Sequence, residues 1–308
     1  MIYLVGGSGF IGTSVAGELE SRGIPFKIVD IRRSTQFESK ICDIRDLKSL
    51  SNAIDDDATI LINLAAEHRD EGLSASDYFL TNVGGAANLI TVAESVGCKR
   101  IIHFSSVAVV HSKGTPYGNS KKQAEQIFFD WESRAQNRVL NVIRPTVVFG
   151  KSNRGNIYNL VKFQLGYFGY TVGRGENIKS ICCVENLTQF VVAVLEQGFQ
   201  TTNSTYVDVP DMRVIDLIKL ARRAVGRDPN RILLIPKGIA LLAAYLLSVS
   251  RYLGFSFSVT PGRVSKYCEG SQHYPYFPEY VVDSSVDLET ALCNYVSSEF
   301  KKSSSSWD

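Results

Sequence analysis

The chain has 308 residues, 44% of them hydrophobic and 21% charged, a composition that provides for a sizeable core, excludes disorder and needs no disulfide or metal staple. Lys+Arg 33 against Asp+Glu 31 leaves a formal net charge of +2, too small to make nucleic acid an electrostatic partner. Six cysteines without a Cys-x-x-Cys spacing and four scattered histidines offer no zinc framework, so no metal site is expected and a reduced compartment fits.

The chain opens on Met1-Ile2-Tyr3-Leu4-Val5 and runs straight into a glycine-rich turn. It lacks the basic start and small-residue cleavage site of a signal peptide, so a cytoplasmic location is expected. Apolar, β-branched runs at 2–5, 26–29, 59–64, 100–105 and 139–143 predict strands, and segments of helical periodicity opening near Phe10, Leu47, Ser76 and Gly118 predict helices between them. That alternation predicts an α/β fold with a parallel sheet over residues 1–150. Within 77–96, Tyr78, Leu80, Val83, Ala87, Leu89, Ile90 and Ala93 recur at near-helical spacing, which predicts one buried face. After Gly150 the rhythm becomes irregular, with glycines at 155, 166, 169, 173 and 175. The change predicts a smaller, non-independent substrate-binding lobe over 151–308.

Residues 238–250 of that lobe read Gly-Ile-Ala-Leu-Leu-Ala-Ala-Tyr-Leu-Leu-Ser-Val-Ser, between Pro236-Lys237 and Arg251. The run falls short of the roughly 18 to 20 apolar residues that a spanning helix needs. A helix buried in the lobe is the preferred reading; the alternative is a helix lying on a bilayer surface, its apolar character extended by Tyr252, Leu253, Phe255 and Phe257. The serine tail at 303–306 is expected to fray.

Gly6-Gly7-Ser8-Gly9-Phe10-Ile11-Gly12 follows a predicted strand and opens a predicted helix, which is the context a dinucleotide-binding turn requires. Glycines at 6, 9 and 12 allow a tight turn, close backbone approach to a pyrophosphate at the helix N-terminus, and close helix–strand packing. The sheet is therefore expected to be Rossmann-type and doubly wound. Asp30 ends the second strand, where a carboxylate accepts hydrogen bonds from ribose hydroxyls and repels a 2′-phosphate. Arg32-Arg33 just beyond could bind such a phosphate, so NAD is favoured over NADP on the strength of Asp30. Tyr117 and Lys121 stand at i and i+4, sharing a helix face on which the ammonium lowers the phenol pKa and binds the nicotinamide ribose. Ser106 follows a predicted strand end, the side of a parallel sheet where ligands bind.

With these residues the chain resembles the extended short-chain dehydrogenase/reductase superfamily over nearly its whole length. The matching pieces are residues 6–12, Asp30, Cys42-Asp43-Ile44-Arg45-Asp46, Leu64-Ala65-Ala66, Asn82, Ser105-Ser106, Tyr117/Lys121 and Arg144-Pro145-Thr146-Val147-Val148-Phe149-Gly150. Residues 65–70 (Ala-Ala-Glu-His-Arg-Asp) and 150–160 are similar to a narrower branch, the bacterial 4-epimerases of N-acetylhexosamines in surface-polysaccharide synthesis, which includes enzymes acting on GlcNAc diphospho-undecaprenol.

The resemblance implies a cofactor site of Gly6, Gly9, Phe10, Ile11, Gly12, Asp30, Ile31 and Arg32, with Asp43 and Ile44 at adenine and Leu64, Ala65, Ala66 and Ser105 near the nicotinamide ribose. It puts Pro145 beside the carboxamide and has Asn82 brace the catalytic strand and helix from inside. It also implies substrate contacts from His68, Arg69, Ser106, Arg154, Asn156, Lys179 and Arg263. By spacing alone, Lys179 and Arg263 are solvated surface cations and His68 and Arg69 loop residues. Two departures stand out: Val110-His111 replaces the Tyr-Gly common in the family, and only residues 112–116 separate it from Tyr117, where relatives often carry a longer acidic segment.

The activity so implied is a redox-neutral 4-epimerization of an N-acetylhexosamine diphosphate, linked to a polyprenol or to uridine, with NAD retained and a 4-keto sugar formed. Tyr117 is the expected base, poised by Lys121, and Ser106 hydrogen-bonds the reacting oxygen. A 4,6-dehydratase is disfavoured because Val107-Ala108-Val109 offers no carboxylate or amide. A keto-sugar reductase remains open, as does, at a lower rank, a non-catalytic dinucleotide sensor. The resemblance also implies a homodimer through the helices near 77–96 and 118–134, and the apolar surplus of Ile127, Phe128, Phe129 and Trp131 over one buried face agrees with that.

Overall fold

The structure is a computed structural model that describes residues 1–68, 74–111, 114–198, 200–249, 259–276 and 286–300. Arg69, the aromatic run after Ser250 and the serine tail lie outside the described residues. The chain forms two compact units: unit 1 is Met1–Thr146, Val184–Tyr206 and Tyr274–Ser285, and unit 2 is Val147–Cys183, Val207–His273 and Val286–Asp308.

Unit 1 starts with β1 (Ile2–Val5), α1 (Phe10–Ser21), β2 (Phe26–Asp30), β3 (Ser39–Ile41), α2 (Leu47–Ala53) and β4 (Ile60–Asn63). Next come α3 (Ala75–Tyr78), a π-helical turn over Phe79–Gly84, α4 (Gly85–Ser95), β5 (Arg100–Phe104), α5 (Ala108–His111), α6 (Pro116–Ser133) and β6 (Val139–Pro145). β1 is buried at all four positions, the pattern of a parallel strand covered on both faces. α6 starts cleanly because Thr115 Oγ1 accepts from Gly118 N at 3.2 Å and Pro116 occupies the first turn, where a missing N–H costs nothing. The single helix expected over 77–96 is interrupted by the π turn, whose wider winding leaves apolar spacing close to helical.

The chain then enters unit 2 with β7 (Val147–Phe149), α7 (Asn156–Lys162), β8 (Gly169–Val172), β9 (Ile178–Lys179) and β10 (Ile181–Cys183). It returns to unit 1 for α8 (Val184–Glu196) and β11 (Thr202–Tyr206). The single break at residue 150 expected from the sequence thus gives way to an interleaved path. The reason is that β11 pairs in parallel with β6, and α8 packs on α1, where Ser14 Oγ and Thr188 Oγ1 lie 2.9 Å apart.

The unit 1 sheet has seven strands in the order β11-β6-β5-β4-β1-β2-β3, every neighbouring pair parallel. Strand order reverses between β1 and β4, so the doubly wound topology opens a ligand crevice at their carboxyl ends. One apolar layer against this sheet holds Leu50, Leu89, Val92, Phe128 and Trp131. Because Phe128 and Trp131 are interior, only the half-buried Ile127 and Phe129 remain of the surplus apolar set on α6.

Unit 2 continues with β12 (Met212–Arg213), α9 (Val214–Ala224), β13 (Ile232–Ile235), α10 (Lys237–Val249), α11 (Pro261–Cys268) and α12 (Leu288–Phe300). β7 pairs with β10, β8 with β13, and β9 with β12, around a core including Phe149, Val161, Leu217, Leu292 and Val296. α10 is not the buried helix preferred from its sequence: Ile239, Leu242, Tyr245 and Leu246 are 60–62% exposed. Among the described residues no helix is long and apolar enough to cross a membrane.

Candidate active site

The glycine turn is held by backbone geometry that side chains would destroy. Gly6 has φ +82°, and a Cβ there would lie 2.5 Å from Ala65 N; at Gly12 it would lie 2.5 Å from Gly7 Cα. Gly6 N donates to Val29 O at 2.8 Å and Gly9 N to Gly6 O at 3.2 Å, leaving Phe10 and Ile11 in the first turn of α1. Asp30 is buried, and its carboxylate accepts from Ser8 N at 3.0 Å and Arg32 N at 2.9 Å. It therefore ties the glycine turn to the end of β2, while Ile31 and Arg32 are exposed beside it.

Asp43 takes Arg45 on both carboxylate oxygens, with a shortest contact of 2.6 Å, and this hydrogen-bonded pairing holds its carboxyl below the usual range. Ile44 packs its side chain into the core against Gly85, so what it offers a ligand is backbone. Leu64, Ala65 and Ala66 follow β4, with Ala65 N bonded to Asn63 Oδ1 at 3.2 Å.

Lys121 is 1% exposed and donates from Nζ to Phe104 O at 2.6 Å. Burial pushes its pKa down to about 8, and the carboxylate of Glu125 one turn along the helix pulls the other way. Glu125 is itself held by Arg144 at 2.7 and 2.6 Å in a two-point pair. His103, also buried, stacks on Phe128 at 4.3 Å, and burial together with the Lys121 charge holds it neutral, well below its usual pKa. Tyr117 is half-buried in the first turn of α6, its ring edge-on to Tyr78 at 6.1 Å. Ser106 Oγ accepts from Ala108 N at 3.2 Å, and Val107 N donates to Pro145 O at 3.3 Å, which fastens the turn after β5 to the end of β6.

Asn82 sits inside the π turn and is 3% exposed. Its Oδ1 accepts from Glu67 N at 2.8 Å, and its Nδ2 donates to Glu67 O at 3.1 Å and to Ser120 Oγ at 2.9 Å. Ser120 in turn donates to Tyr117 O at 2.8 Å, so one side chain couples the segment after β4 to the first turn of α6. Three neighbours of these residues were not among the site residues expected from the sequence. Tyr78 stands one turn before Asn82, Glu125 repeats the Lys121 face at i+4, and Arg144 was visible only as part of the family-like stretch.

A dinucleotide fits these residues by two observations. Gly6 and Gly12 leave a cradle that a Cβ would fill. Ser8 Oγ, Ser105 Oγ and Thr146 Oγ1 are buried without a hydrogen-bond partner among the described residues, and they follow the carboxyl ends of β1, β5 and β6.

The other expected substrate residues divide between the units. His68 is exposed after β4 in unit 1. Arg154, Asn156, Lys179 and Arg263 belong to unit 2. Arg154 lies over the Tyr158 ring at 4.3 Å and 3.5 Å from Glu299, and Asn156 is exposed in the first turn of α7. Lys179 Nζ donates to Lys266 O at 3.1 Å and to Glu269 O, capping the C-terminal end of α11, and burial lowers its pKa. Arg263 is exposed on α11.

A family model described as NAD dependent epimerase/dehydratase family matches residues 2–207. The chain is 35% identical over 293 residues, 88% of its length and 86% of the relative's, to the N-acetyl-alpha-D-glucosaminyl-diphospho-ditrans,octacis-undecaprenol 4-epimerase of Escherichia coli O157:H7. Its fold is similar to UDP-N-acetylglucosamine 4-epimerase from Bacillus cereus, with TM-score 0.67 and 18% identity over 76% of this chain and 85% of that one. It is also similar to UDP-glucose 4-epimerase from Bifidobacterium longum in complex with NAD+ and UDP, with TM-score 0.65 and 20% identity over 76% and 86%.

Proposed function

The chain belongs to the NAD-dependent epimerase/dehydratase family, and on that premise we propose that it is a 4-epimerase of an N-acetylhexosamine diphosphate carried on a polyprenol, interconverting the GlcNAc and GalNAc forms. The observation that carries the substrate is the 35% identity, across 88% of the chain, to an epimerase named for that lipid-linked sugar. The Ser106, Tyr117 and Lys121 set supports the chemistry.

Bound here, NAD would supply the hydride acceptor and donor for the sugar C4. The residues of this chain handle the proton and the geometry. Tyr117 Oη removes the proton of the C4 hydroxyl, which leaves a 4-keto sugar, and later gives a proton back to the C4 oxygen. The Lys121 ammonium favours the phenolate by its charge. Ser106 Oγ, set in its turn by Ala108 N, donates to the reacting oxygen. Gly6 and Gly12 with Ser8 would hold the pyrophosphate, Asp30 the adenosine ribose, Asp43 and Ile44 the adenine, and Leu64, Ala65, Ala66, Ser105 and Pro145 the nicotinamide half. His68, Arg69, Arg154, Asn156, Lys179 and Arg263 are proposed as contacts to the sugar diphosphate, and binding outside the reacting ring keeps the keto sugar from escaping as it turns.

The proposal extends to assembly and place: a homodimer through α4 and α6, working in surface-polysaccharide synthesis on the cytoplasmic side of the cell membrane. Its test offers the purified protein GlcNAc diphospho-undecaprenol and UDP-GlcNAc separately and follows inversion at C4 in each. Inversion of the lipid-linked sugar without net change in cofactor redox state is expected. Turnover of UDP-GlcNAc alone overturns the polyprenol assignment, and net cofactor reduction overturns epimerization. A monomer by light scattering at micromolar concentration overturns the dimer.

A further inference from the structure

A globular helix turns its bulky apolar side chains inward, and α10 does the reverse. Ile239, Leu242, Tyr245 and Leu246 form a water-facing arc, each 60–62% exposed. The opposite side of this helix, which packs against α11, holds the fully buried Ala244 between Ala240 and Ser248, with Leu241 and Leu247 half-buried at its margins. The apolar surface begins before the helix, since Leu233 and Leu234 of β13 are also exposed and only Pro236 separates that strand from α10. A soluble monomer gains nothing from such a face and risks aggregation through it.

Charge decides what covers it. From Asp228 to Glu269 the chain has five cations, Arg231, Lys237, Arg251, Arg263 and Lys266, against those two carboxylates, and Asp228 is paired with Arg231 at 3.3 Å. A second copy seated on this face would bring like charges together, whereas an anionic surface is complementary to it. The helix has 13 residues, about 20 Å at 1.5 Å per residue, against a hydrocarbon core of about 30 Å, so it is suited to lie in the interface and not to cross it.

We propose that the outer face of α10 docks the protein on an anionic phospholipid bilayer. The helix lies in the headgroup plane, Leu242 and Leu246 enter the acyl boundary, and the exposed Lys237 meets lipid phosphates. The inference deepens the substrate reading and rests on it in one respect: a polyprenol-linked sugar resides in a bilayer, where a docked enzyme meets it by diffusion in two dimensions.

The test is co-sedimentation of the full chain with vesicles of phosphatidylglycerol and phosphatidylethanolamine, and with vesicles of phosphatidylcholine alone. Binding to the anionic vesicles that weakens with salt is expected. The double variant Leu242→Ser/Leu246→Ser should lose about tenfold or more in partitioning, as apolar area drives insertion. Lys237→Glu should lose about fivefold or more through headgroup attraction. The three substituted positions, Leu242, Leu246 and Lys237, are exposed, so both variants should keep wild-type melting and NAD binding. Absence of wild-type binding to anionic vesicles, or undiminished binding by the double variant, overturns the proposal. So does conversion of a dimer to a monomer by the serine pair without vesicle binding, which assigns the face to a second copy. Turnover of UDP-GlcNAc alone by a protein that still binds vesicles removes the substrate reading and leaves the docking face standing.

Discussion

Lys121 on α6 and Phe104 at the end of β5 are joined by a 2.6 Å hydrogen bond from the buried ammonium to a backbone carbonyl. The bond sets the pitch of the catalytic helix against the strand that delivers Ser105 and Ser106. It also keeps a cation in a place where water does not reach it, which is why its pKa falls to about 8. Lys121 therefore carries a structural cost beside the chemical use proposed for it.

That cost predicts a pH dependence. The unfolded lysine titrates near 10.4, above the folded value, so the unfolded chain holds more protons between about pH 8 and 10.4 and stability rises with pH in that window. Relative to Lys121→Met, the wild type should gain roughly 3 kcal/mol from pH 7 to 10.5 in urea unfolding of the cofactor-free protein. A constant offset between the two proteins across this range would show that the ammonium is solvated.

Tyr117→Phe should reduce turnover by about a hundred- to ten-thousandfold while NAD affinity stays near wild type, because only the proton-transfer group is removed. Lys121→Ala should impair turnover and NAD binding together. Fluorescence titration with NAD beside an epimerization assay separates the two patterns, and wild-type rates in Tyr117→Phe would remove it from the chemistry.

Asp30 has two jobs that different substitutions separate. Asp30→Asn keeps an acceptor for Ser8 N or Arg32 N but removes the charge that opposes a 2′-phosphate, so the preference for NAD over NADP should narrow by about tenfold, or ~1.4 kcal/mol. Asp30→Ala also frees the glycine turn and should weaken both dinucleotides. Calorimetric titration of each variant with each cofactor checks this, and tighter NADP than NAD binding by the wild type would reverse the assignment.

Arg144 and Glu125 form a pair in which the carboxylate is almost fully buried. Arg144→Met strands that charge and should cost about 3 to 5 kcal/mol, whereas Arg144→Met with Glu125→Leu should recover most of it. Chemical unfolding of the single and double variants measures the difference. Equal losses in both would place the cost in packing instead of charge.

The strands legible in the sequence were those that carry their own apolar run. β3 (Ser-Lys-Ile) and β11 (Thr-Asn-Ser-Thr-Tyr) were not, because their pairing is set by neighbours: Ser204 is fully buried opposite Ile143, although nothing in its own composition calls for it. At the proposed site, the placements of Gly6, Gly12, Asp30, Tyr117 and Lys121 in their turn, strand end and helix were legible because backbone approach and helix spacing restrict the residue types allowed. The Arg144–Glu125 pair was not, since it depends on how α6 lies over β6, and periodicity records a helix face without its azimuth on the sheet. The burial preferred for residues 238–250 failed for a related reason: apolar content says that a surface avoids water without saying whether protein is what covers it.

The return of the chain to unit 1 through α8 and β11 bears on how the dinucleotide-binding part can be isolated. A fragment stopped at residue 150 would present β6, with Leu140, Val142 and Ile143, as a free edge of unpaired amides and carbonyls, and would uncover the side of α1 that α8 shields. Such an edge recruits strands from other molecules. The shortest soluble nucleotide-binding piece should therefore reach at least Tyr206, with its intervening residues kept or replaced by a linker, and expression trials that end earlier should yield inclusion bodies.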